Sequence, residues 1–473
     1  MDLTGKHIHL IGIGGSGLSA IARVLLERGC VVSGSDRALS PLAHELAAAG
    51  ARILAGHQAG NVAGADVVVR SSAVPDDNVE VLAAQAAGIP VLKRAQFLGY
   101  LLADHHVIAV AGTHGKTTTT AMIAWMLTRL GLDPSYIIGG TAKNLGGNAH
   151  AGQGAVFVIE ADEYDRMFLG LDPDVIVLTY LEHDHPDCYP TLEAYRQAFT
   201  AFVRRLRPGG CLLASHDNPE ARRLVHAAPQ GAIASTYGTA PGADYSADNL
   251  SRNTRGGFDY DATWNTDDGD RVHLARVSLQ IPGEHNVRNS LGALAALHRS
   301  PALRLSATQV QQAAAALGEF TGTGRRFDVL GQAGGITVID DYAHHPTEIR
   351  ATLAAARARY PQARIWAVWQ PHTYSRTLNL LPDFACSFAD ADCVLVTEVY
   401  AARETAAQFD HFSAARVVER MKHPHAAFTP TLEEAAQMLL HELQPGDVLL
   451  VLSAGDADQI SARVLQGLKE RNA

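Results

Sequence analysis

Residues 107–120, VIAVAGTHGKTTTT, restrict this chain more than any other stretch. The run 107–111 is short, apolar and β-branched, the pattern of a buried strand. Gly112, Thr113, His114 and Gly115 interrupt it, and Lys116 then opens a helical-looking segment. Strand, glycine-containing turn and helix in that order present backbone N–H groups and a helix N-terminus to a phosphate chain. Lys116 is placed to reach the terminal phosphates, and the Thr117 hydroxyl to ligate Mg²⁺. The full phosphate-loop pattern has glycine where Val110 stands, so this is a shortened version. A Gly-Lys-Thr in an ordinary loop is the plain alternative, and it would not need the flanking strand and helix.

A chain of 473 residues exceeds one core and suggests two to four domains. With 47% apolar and 19% charged residues it has an ordinary globular balance. The formal charge of −10 provides no electrostatic reason to bind nucleic acid or an anionic membrane, and leaves room for local basic pockets that hold phosphates. Cys30, Cys188, Cys211, Cys386 and Cys393 are dispersed, with no CxxC pair, which argues against a disulfide framework or a structural zinc site. The N-terminus lacks a basic start, a long apolar stretch and a cleavage site, and no apolar run approaches about 18 residues. A soluble, cytoplasmic protein is expected.

Residues 7–13 read as a first strand, followed at once by Gly12-Ile13-Gly14-Gly15-Ser16-Gly17 and a helix. VVSGSD then supplies a second strand ending in Asp36, where an acidic residue commonly binds ribose. NAD and another diphosphate nucleotide compete for this turn. No hydride-transfer site follows, whereas an ATP-type loop does, and this favours a diphosphate-bearing substrate. Further strands near 51–54, 66–70 and 90–92, with helices between them, complete a small doubly wound domain closing near 103–106.

After the phosphate loop come a glycine-rich loop (Gly139, Gly140, Gly146, Gly147) and a strand running into Glu160-Ala161-Asp162-Glu163-Tyr164-Asp165. Carboxylates just past a strand lie where open α/β sheets bind ligands, and Mg²⁺ takes hard oxygen ligands beside phosphates. A solvated acidic turn is an equal reading for Asp162, Glu163 and Asp165 individually. The strand DVIVLTYL ends in Glu182-His183-Asp184-His185-Pro186-Asp187, a metal-like cluster with too few nitrogen or sulfur donors for zinc. A polar, glycine-rich stretch precedes the alternations FDYDATW and VHLARVSLQI, separated by residues 267–270, DDGD, which is a hairpin signal. Asn286 and Asn289 share one helical face, either capping the helix or facing a base or ribose. Residues 320–327, FTGTGRRF, read as a hinge followed by basic residues able to reach a phosphate. Beyond it a third α/β domain has four strands ending in polar clusters, which reads as one ligand-facing rim.

The blocks GIGGSG, SGSD, AGTHGKTTTT, EADEYD, HDHPD, PGEHNVRN, FTGTGRRFD, DDYAHHPTEI and QPHTYSR resemble, in this order and over essentially the whole chain, the Mur ligases of peptidoglycan synthesis. The resemblance implies an α/β fold of three domains. Residues 1–104 would be a Rossmann-like UDP-sugar domain, 105–325 a P-loop NTPase-like ATP domain, and 326–473 a Rossmann-like amino-acid domain. It implies an ATP-dependent ligase joining L-alanine to UDP-N-acetylmuramate through an acyl phosphate, with ATP and Mg²⁺, as a monomer or weak homodimer.

By family position, Gly14, Gly15, Ser16, Gly17, Asp36, Ser71 and Ser72 would bind the UDP-sugar. Gly112 to Thr118 (Gly112, Thr113, His114, Gly115, Lys116, Thr117, Thr118), Asn286, Asn289 and Arg326 would bind ATP. Thr117 and Glu160 would hold one Mg²⁺, and His185 would hold or orient a second. Tyr342, His344, His372 and Arg376 would surround the amino acid and the transferred phosphate. Lys116, Glu160, His185, His344 and Arg376 would be catalytic. Sister ligases carry a carbamylated lysine where Phe199 stands, and its absence points to the alanine-adding branch. Tyr180 replaces a usual Asn, Thr373 replaces a second arginine, and SAGDAD departs from the usual GAGD. Rival readings are a recycling ligase adding a tripeptide to the same sugar nucleotide, an inactive nucleotide-sensing protein, and an NAD enzyme.

Overall fold

Short β-branched runs alternate with helices along most of the chain, and a helix crossing between two strands sets them parallel. In a computed structural model, which describes residues 3–266 and 268–471, this produces three sheets. The first holds β1 (His7–Ile11), β2 (Val31–Asp36), β3 (Arg52–Ala55), β4 (Val67–Arg70) and β5 (Val91–Lys93). Their order is β3-β2-β1-β4-β5 and every pairing is parallel. Helix Ser16–Glu27 buries Leu18, Ile21, Val24 and Leu25 on one stripe, the spacing that packs a helix onto a sheet.

The second sheet is built on β6 (His106–Ala111), β7 (Ser135–Ala142), β8 (Gly147–His150), β9 (Val156–Glu160) and β10 (Val175–Leu178). It continues through β11 (Cys211–Ser215), β12 (Ile233–Gly238), β13 (Tyr245–Arg252), β14 (Phe258–Asn265) and β15 (Arg271–Ser278). The order is β15-β14-β13-β12-β11-β10-β6-β9-β7-β8. The hairpin signal is met by antiparallel β14 and β15, although residue 267 of its connection lies outside the described residues.

Two stretches differ from their sequence reading. The glycine-rich stretch expected as a loop is the antiparallel pair β7 and β8, with a register shift between Ile137 and Ala142. Gly139 marks a close approach: a Cβ there would meet the Glu160 carboxylate at 2.6 Å. The polar stretch after β11 contains β12 and β13, in which Tyr245 and Ala247 are buried between polar neighbours that face outward.

The third sheet contains β16 (Asp328–Ala333), β17 (Ile336–Asp341), β18 (Ile365–Trp369), β19 (Cys393–Val396), β20 (Ala426–Phe428) and β21 (Val448–Leu452). The order is β16-β17-β21-β18-β19-β20, parallel except for β16. Apolar clusters cover both faces, which is why these strands read as continuous hydrophobic runs.

The chain forms two compact units. One runs from the N-terminus to Leu250 and adds Asp259–Ser278 and Val287–Phe320, so it contains the first sheet and most of the second. The other holds Ser251–Phe258, Leu279–Asn286 and everything from Thr321 on. None of the five cysteines is in a disulfide among the described residues. Among the described residues no helix is long and apolar enough to cross a membrane.

Candidate active site

All five strands of the first sheet point the same way, so the turns that follow them share one edge. Gly14 donates its N–H to Asp36 at 2.9 Å, and its carbonyl accepts from Ser40 at 2.8 Å. Gly15 caps helix Ser16–Glu27, leaving Ser16 and Gly17 in its first turn, where unpaired N–H groups attract anions. Ser71 and Ser72 follow β4, and the Ser71 N–H donates to Ile11 at 3.0 Å. Arg94 follows β5; its guanidinium lies over Gly17 and donates to Asp162 at 3.0 Å. Sequence reasoning did not single out Arg94. A basic residue immediately after a strand of this sheet was the available signal.

At the phosphate loop, Gly115 adopts φ +86° and caps helix Lys116–Arg129. A Cβ there would lie 2.6 Å from Asn289 Oδ1, so glycine lets Asn289 press against the loop. The Asn286 amide donates to Pro282 O at 2.7 Å, a bond within the start of its own helix. The Lys116 ammonium donates to Gly112 O and Thr113 O at 2.5 and 3.3 Å and pairs with Glu163 at 2.8 Å. Burial pulls this ammonium down, but Glu163, Glu160 and Asp162 outweigh burial and hold it above the ordinary lysine value. Thr118 is buried one residue beyond Thr117, inside the same helix.

Thr117 Oγ1 donates to Glu160 at 3.1 Å, and the other Glu160 oxygen accepts from Gly139 N at 2.7 Å. Burial raises the Glu160 carboxyl above its usual range despite Lys116 and these donors. Glu163 is the residue the sequence left undecided, and its side chain is almost fully buried between Lys116 and His185 Nε2, which is 3.5 Å away. Asp162 serves Arg94 and the Tyr164 N–H instead. The acidic–histidine cluster does not converge: His183 bonds Tyr189 O at 2.8 Å, Glu182 lies 3.1 Å from His114, and Asp187 accepts from Tyr164 at 3.0 Å. Tyr180 contributes its carbonyl, which accepts from Thr113 N at 2.7 Å, so the backbone there braces the loop. Phe199 is fully buried against Phe168 and Tyr195.

A cavity of about 80 Å³ joins these two groups of residues. Ser16, Gly17 and Arg94 line it from the first sheet's edge, and Gly139, Glu160 and Asp162 from the second's.

The second unit has its own rim at the ends of β17, β18, β19 and β21. Tyr342 lies under the guanidinium groups of Arg325 and Arg326, at 5.2 and 5.0 Å. The His344 ring meets Tyr342 edge-on at 5.4 Å and His372 at 5.7 Å, and His372 stacks on Tyr400 at 5.6 Å. His344 Nδ1 is 2.9 Å from Tyr342 O, which can only accept, so Nδ1 carries the proton. Buried Arg376 donates to His372 O at 2.8 Å and to His372 Nδ1 at 3.0 Å, so His372 carries its proton on Nε2. Asp340 and Asp341 are buried beneath this rim, and burial pushes each carboxyl up to about 6 against the pull of Arg325 and Arg326 respectively. Thr373 bonds Glu404 at 3.0 Å, and Ser453 of SAGDAD bonds Gln370 at 2.7 Å, so both departures sit in closed hydrogen-bond networks.

Three family descriptions match consecutive parts of the chain: "Mur ligase family, catalytic domain" over 7–106, "Mur ligase middle domain" over 110–297, and "Mur ligase, glutamate ligase domain" over 325–455. The UDP-N-acetylmuramate–L-alanine ligase of Roseiflexus castenholzii is 44% identical, with 98% of this chain and 97% of that protein aligned. The crystal structure of UDP-N-acetylmuramate-alanine ligase MurC from Thermotoga maritima superposes with a TM-score of 0.81 at 29% identity, covering 98% and 99% of the two chains. A murein peptide ligase from Psychrobacter arcticus gives 0.72 at 26% identity over the same shares.

Proposed function

The chain belongs to the Mur ligase family, and from that premise we propose that it joins L-alanine to UDP-N-acetylmuramate, releasing ADP and phosphate, in peptidoglycan precursor synthesis. The observation that carries the reading is the cavity between the glycine turn and Glu160. A sugar nucleotide whose diphosphate rests on the Ser16 helix and Arg94 extends its sugar carboxylate toward the phosphate loop. Carboxylate and terminal phosphate then meet beside Lys116.

The chemistry follows from that encounter. A carboxylate oxygen attacks the γ-phosphorus and ADP leaves. The alanine amine then attacks the acyl carbon, loses a proton, and phosphate departs carrying the carboxylate oxygen. Two anions repel on approach, so Lys116 offsets charge where it builds up. By family position we assign the adenine to Asn286 and Asn289 and a phosphate contact to Arg326. Tyr342, His344, His372 and Arg376 receive alanine; a protonated Nδ1 makes His344 an acceptor at Nε2, suited to take a proton from the amine. The domain limits proposed are 1–104, 105–325 and 326–473, and the protein acts in the cytoplasm as a monomer or weak homodimer on small molecules alone.

The residues fit Mg²⁺. Thr117 and Glu160 are hard oxygen donors already within 3.1 Å of one another, and His185 beside Glu163 would hold or orient a second ion. Burial pushes the thiol of Cys188 up, away from the thiolate form that a soft metal ion prefers. Bound there, Mg²⁺ supplies the positive charge that lets the phosphates and the carboxylate approach.

The test is ADP release with ¹⁸O in the sugar carboxylate, offering alanine or the tripeptide. ADP release that requires alanine, with label in the phosphate, is expected. Unlabelled phosphate overturns the acyl-phosphate step, and turnover with tripeptide alone moves the chain to the recycling reaction.

A further inference from the structure

The first sheet carries a buried carboxylate that no step above uses. Glu80, in helix Val79–Ala86, is fully buried. Its Oε2 accepts from Ser35 Oγ at 2.6 Å and lies 3.3 Å from His9 Nε2. Its Oε1 accepts from Gln58 N at 3.1 Å and from the Asn61 amide, and lies 3.7 Å from His57 Nδ1. Burial pushes the carboxyl up, but donors from His9, Ser35, Asn61 and Gln58 outweigh burial and bring it to about 2. At neutral pH Glu80 therefore only accepts hydrogen bonds.

That fixes the direction of the next bond. Ser35 has one hydroxyl hydrogen and donates it to Glu80, so its Oγ accepts from His57 Nδ1, 3.1 Å away. With the proton on Nδ1, a neutral imidazole carries a lone pair on Nε2. His57 Nε2 has no partner among the described residues, and the ring is partly exposed just past Ala55, the end of β3. Along this edge the turn after β1 is the diphosphate position and Asp36 after β2 the ribose position; β3 comes next outward.

We propose that Glu80, acting through Ser35, holds His57 as an Nε2 acceptor for the imide N–H of a uracil ring. His57 is then the base-reading residue and Glu80 its positioning residue. The proposal rests on the assignment of the UDP-sugar to this edge. Cytosine has a lone pair where uracil has that N–H, so the same acceptor rejects it.

The experiment is calorimetric titration of the full chain with UDP-N-acetylmuramate, UDP and CDP. The wild type should bind UDP at least about tenfold more tightly than CDP, and His57→Ala should lose most of that ratio by weakening UDP alone. Glu80→Gln should lower the ratio less, and should lower it no further in the His57→Ala background. Ser35→Ala, which leaves Glu80 in place, should act in the same direction. Equal weakening of UDP and CDP by His57→Ala overturns base reading. A Glu80→Gln chain that melts earlier at an unchanged ratio overturns the positioning role. Failure of the wild type to bind UDP-N-acetylmuramate at all overturns the assignment of this edge, a result distinct from both.

Discussion

At the phosphate loop one lysine sits among three carboxylates, while at the rim of the third sheet two aspartates sit beneath two arginines. Both sites occupy the C-terminal edge of parallel strands, and they solve the burial of charge in opposite ways. Lys116 is over-compensated: Glu163 holds it by a close ion pair, and its positive charge is favoured despite burial. Asp340 and Asp341 are under-compensated, because burial and neighbouring acids outweigh the pull of Arg325 and Arg326. The first arrangement keeps a cation ready where anions must meet. The second sets two histidines of defined tautomer beside the buried acids, the arrangement that the proposed handling of an amine would use.

Lys116→Ala tests most severely whether the over-compensated lysine serves the phosphate loop alone and not the glycine turn. Turnover should fall by at least about 10²–10³, whereas affinity for the UDP-sugar, measured by calorimetry, should stay within about twofold of wild type. An equal loss of UDP-sugar affinity would break the separation of phosphate loop and glycine turn.

Glu163→Gln sharpens the contrast, since it removes the carboxylate that Lys116 and His185 share. Steady-state assays should show turnover reduced by about 10–10²-fold, because partners that orient a site's charged groups have effects of that size. An unchanged rate would mean that Glu160 alone compensates Lys116.

His344→Ala should instead raise the KM for alanine by about tenfold and leave the KM for ATP unchanged. A rise in the KM for ATP of similar size would show that the rim serves the nucleotide.

The smallest effect concerns pH and stability. The folded-state carboxyls of Asp340 and Asp341 stand at about 6, above an unfolded value of 3.8. Between roughly pH 4 and 6 the folded second unit therefore binds protons that the unfolded chain releases. Its stability should fall as pH rises through this window, by about 2 kcal/mol for each group. Glu80 has the opposite sign: its folded value of about 2 lies below the unfolded 4.5, so its contribution is present above pH 4.5 and is lost on acidification toward 2. Hydrogen exchange of β17 against β1, followed from pH 7 to 2, separates the two. A slope for β17 that Asp341→Asn leaves unchanged would assign the effect elsewhere.

Much of this was legible in the chain itself. The phosphate loop, the glycine turn and the strand-end clusters are local, since a β-branched run followed by glycine dictates strand and turn without distant partners. The hairpin of β7 and β8 was not legible, because Gly139 serves a contact with Glu160 that lies 21 residues away. The choice among Asp162, Glu163 and Asp165 was hidden for a related reason. Neighbouring carboxylates in an irregular turn have the same sequence signal, and only the fold decides which one turns toward Lys116.

The sequence alone determined the three-domain α/β architecture, the family, and the strand–turn–helix form of the phosphate loop, because these depend on hydrophobic period, on turn chemistry and on motifs contiguous in the chain. Tertiary structure alone decided that Arg94 closes over Gly17, that Glu163 joins Lys116 to His185, and that Glu80 sets the tautomer of His57. Each of these is a charge or a hydrogen bond between elements far apart in sequence. Its strength depends on burial and on distances of a few ångströms, which no local pattern encodes.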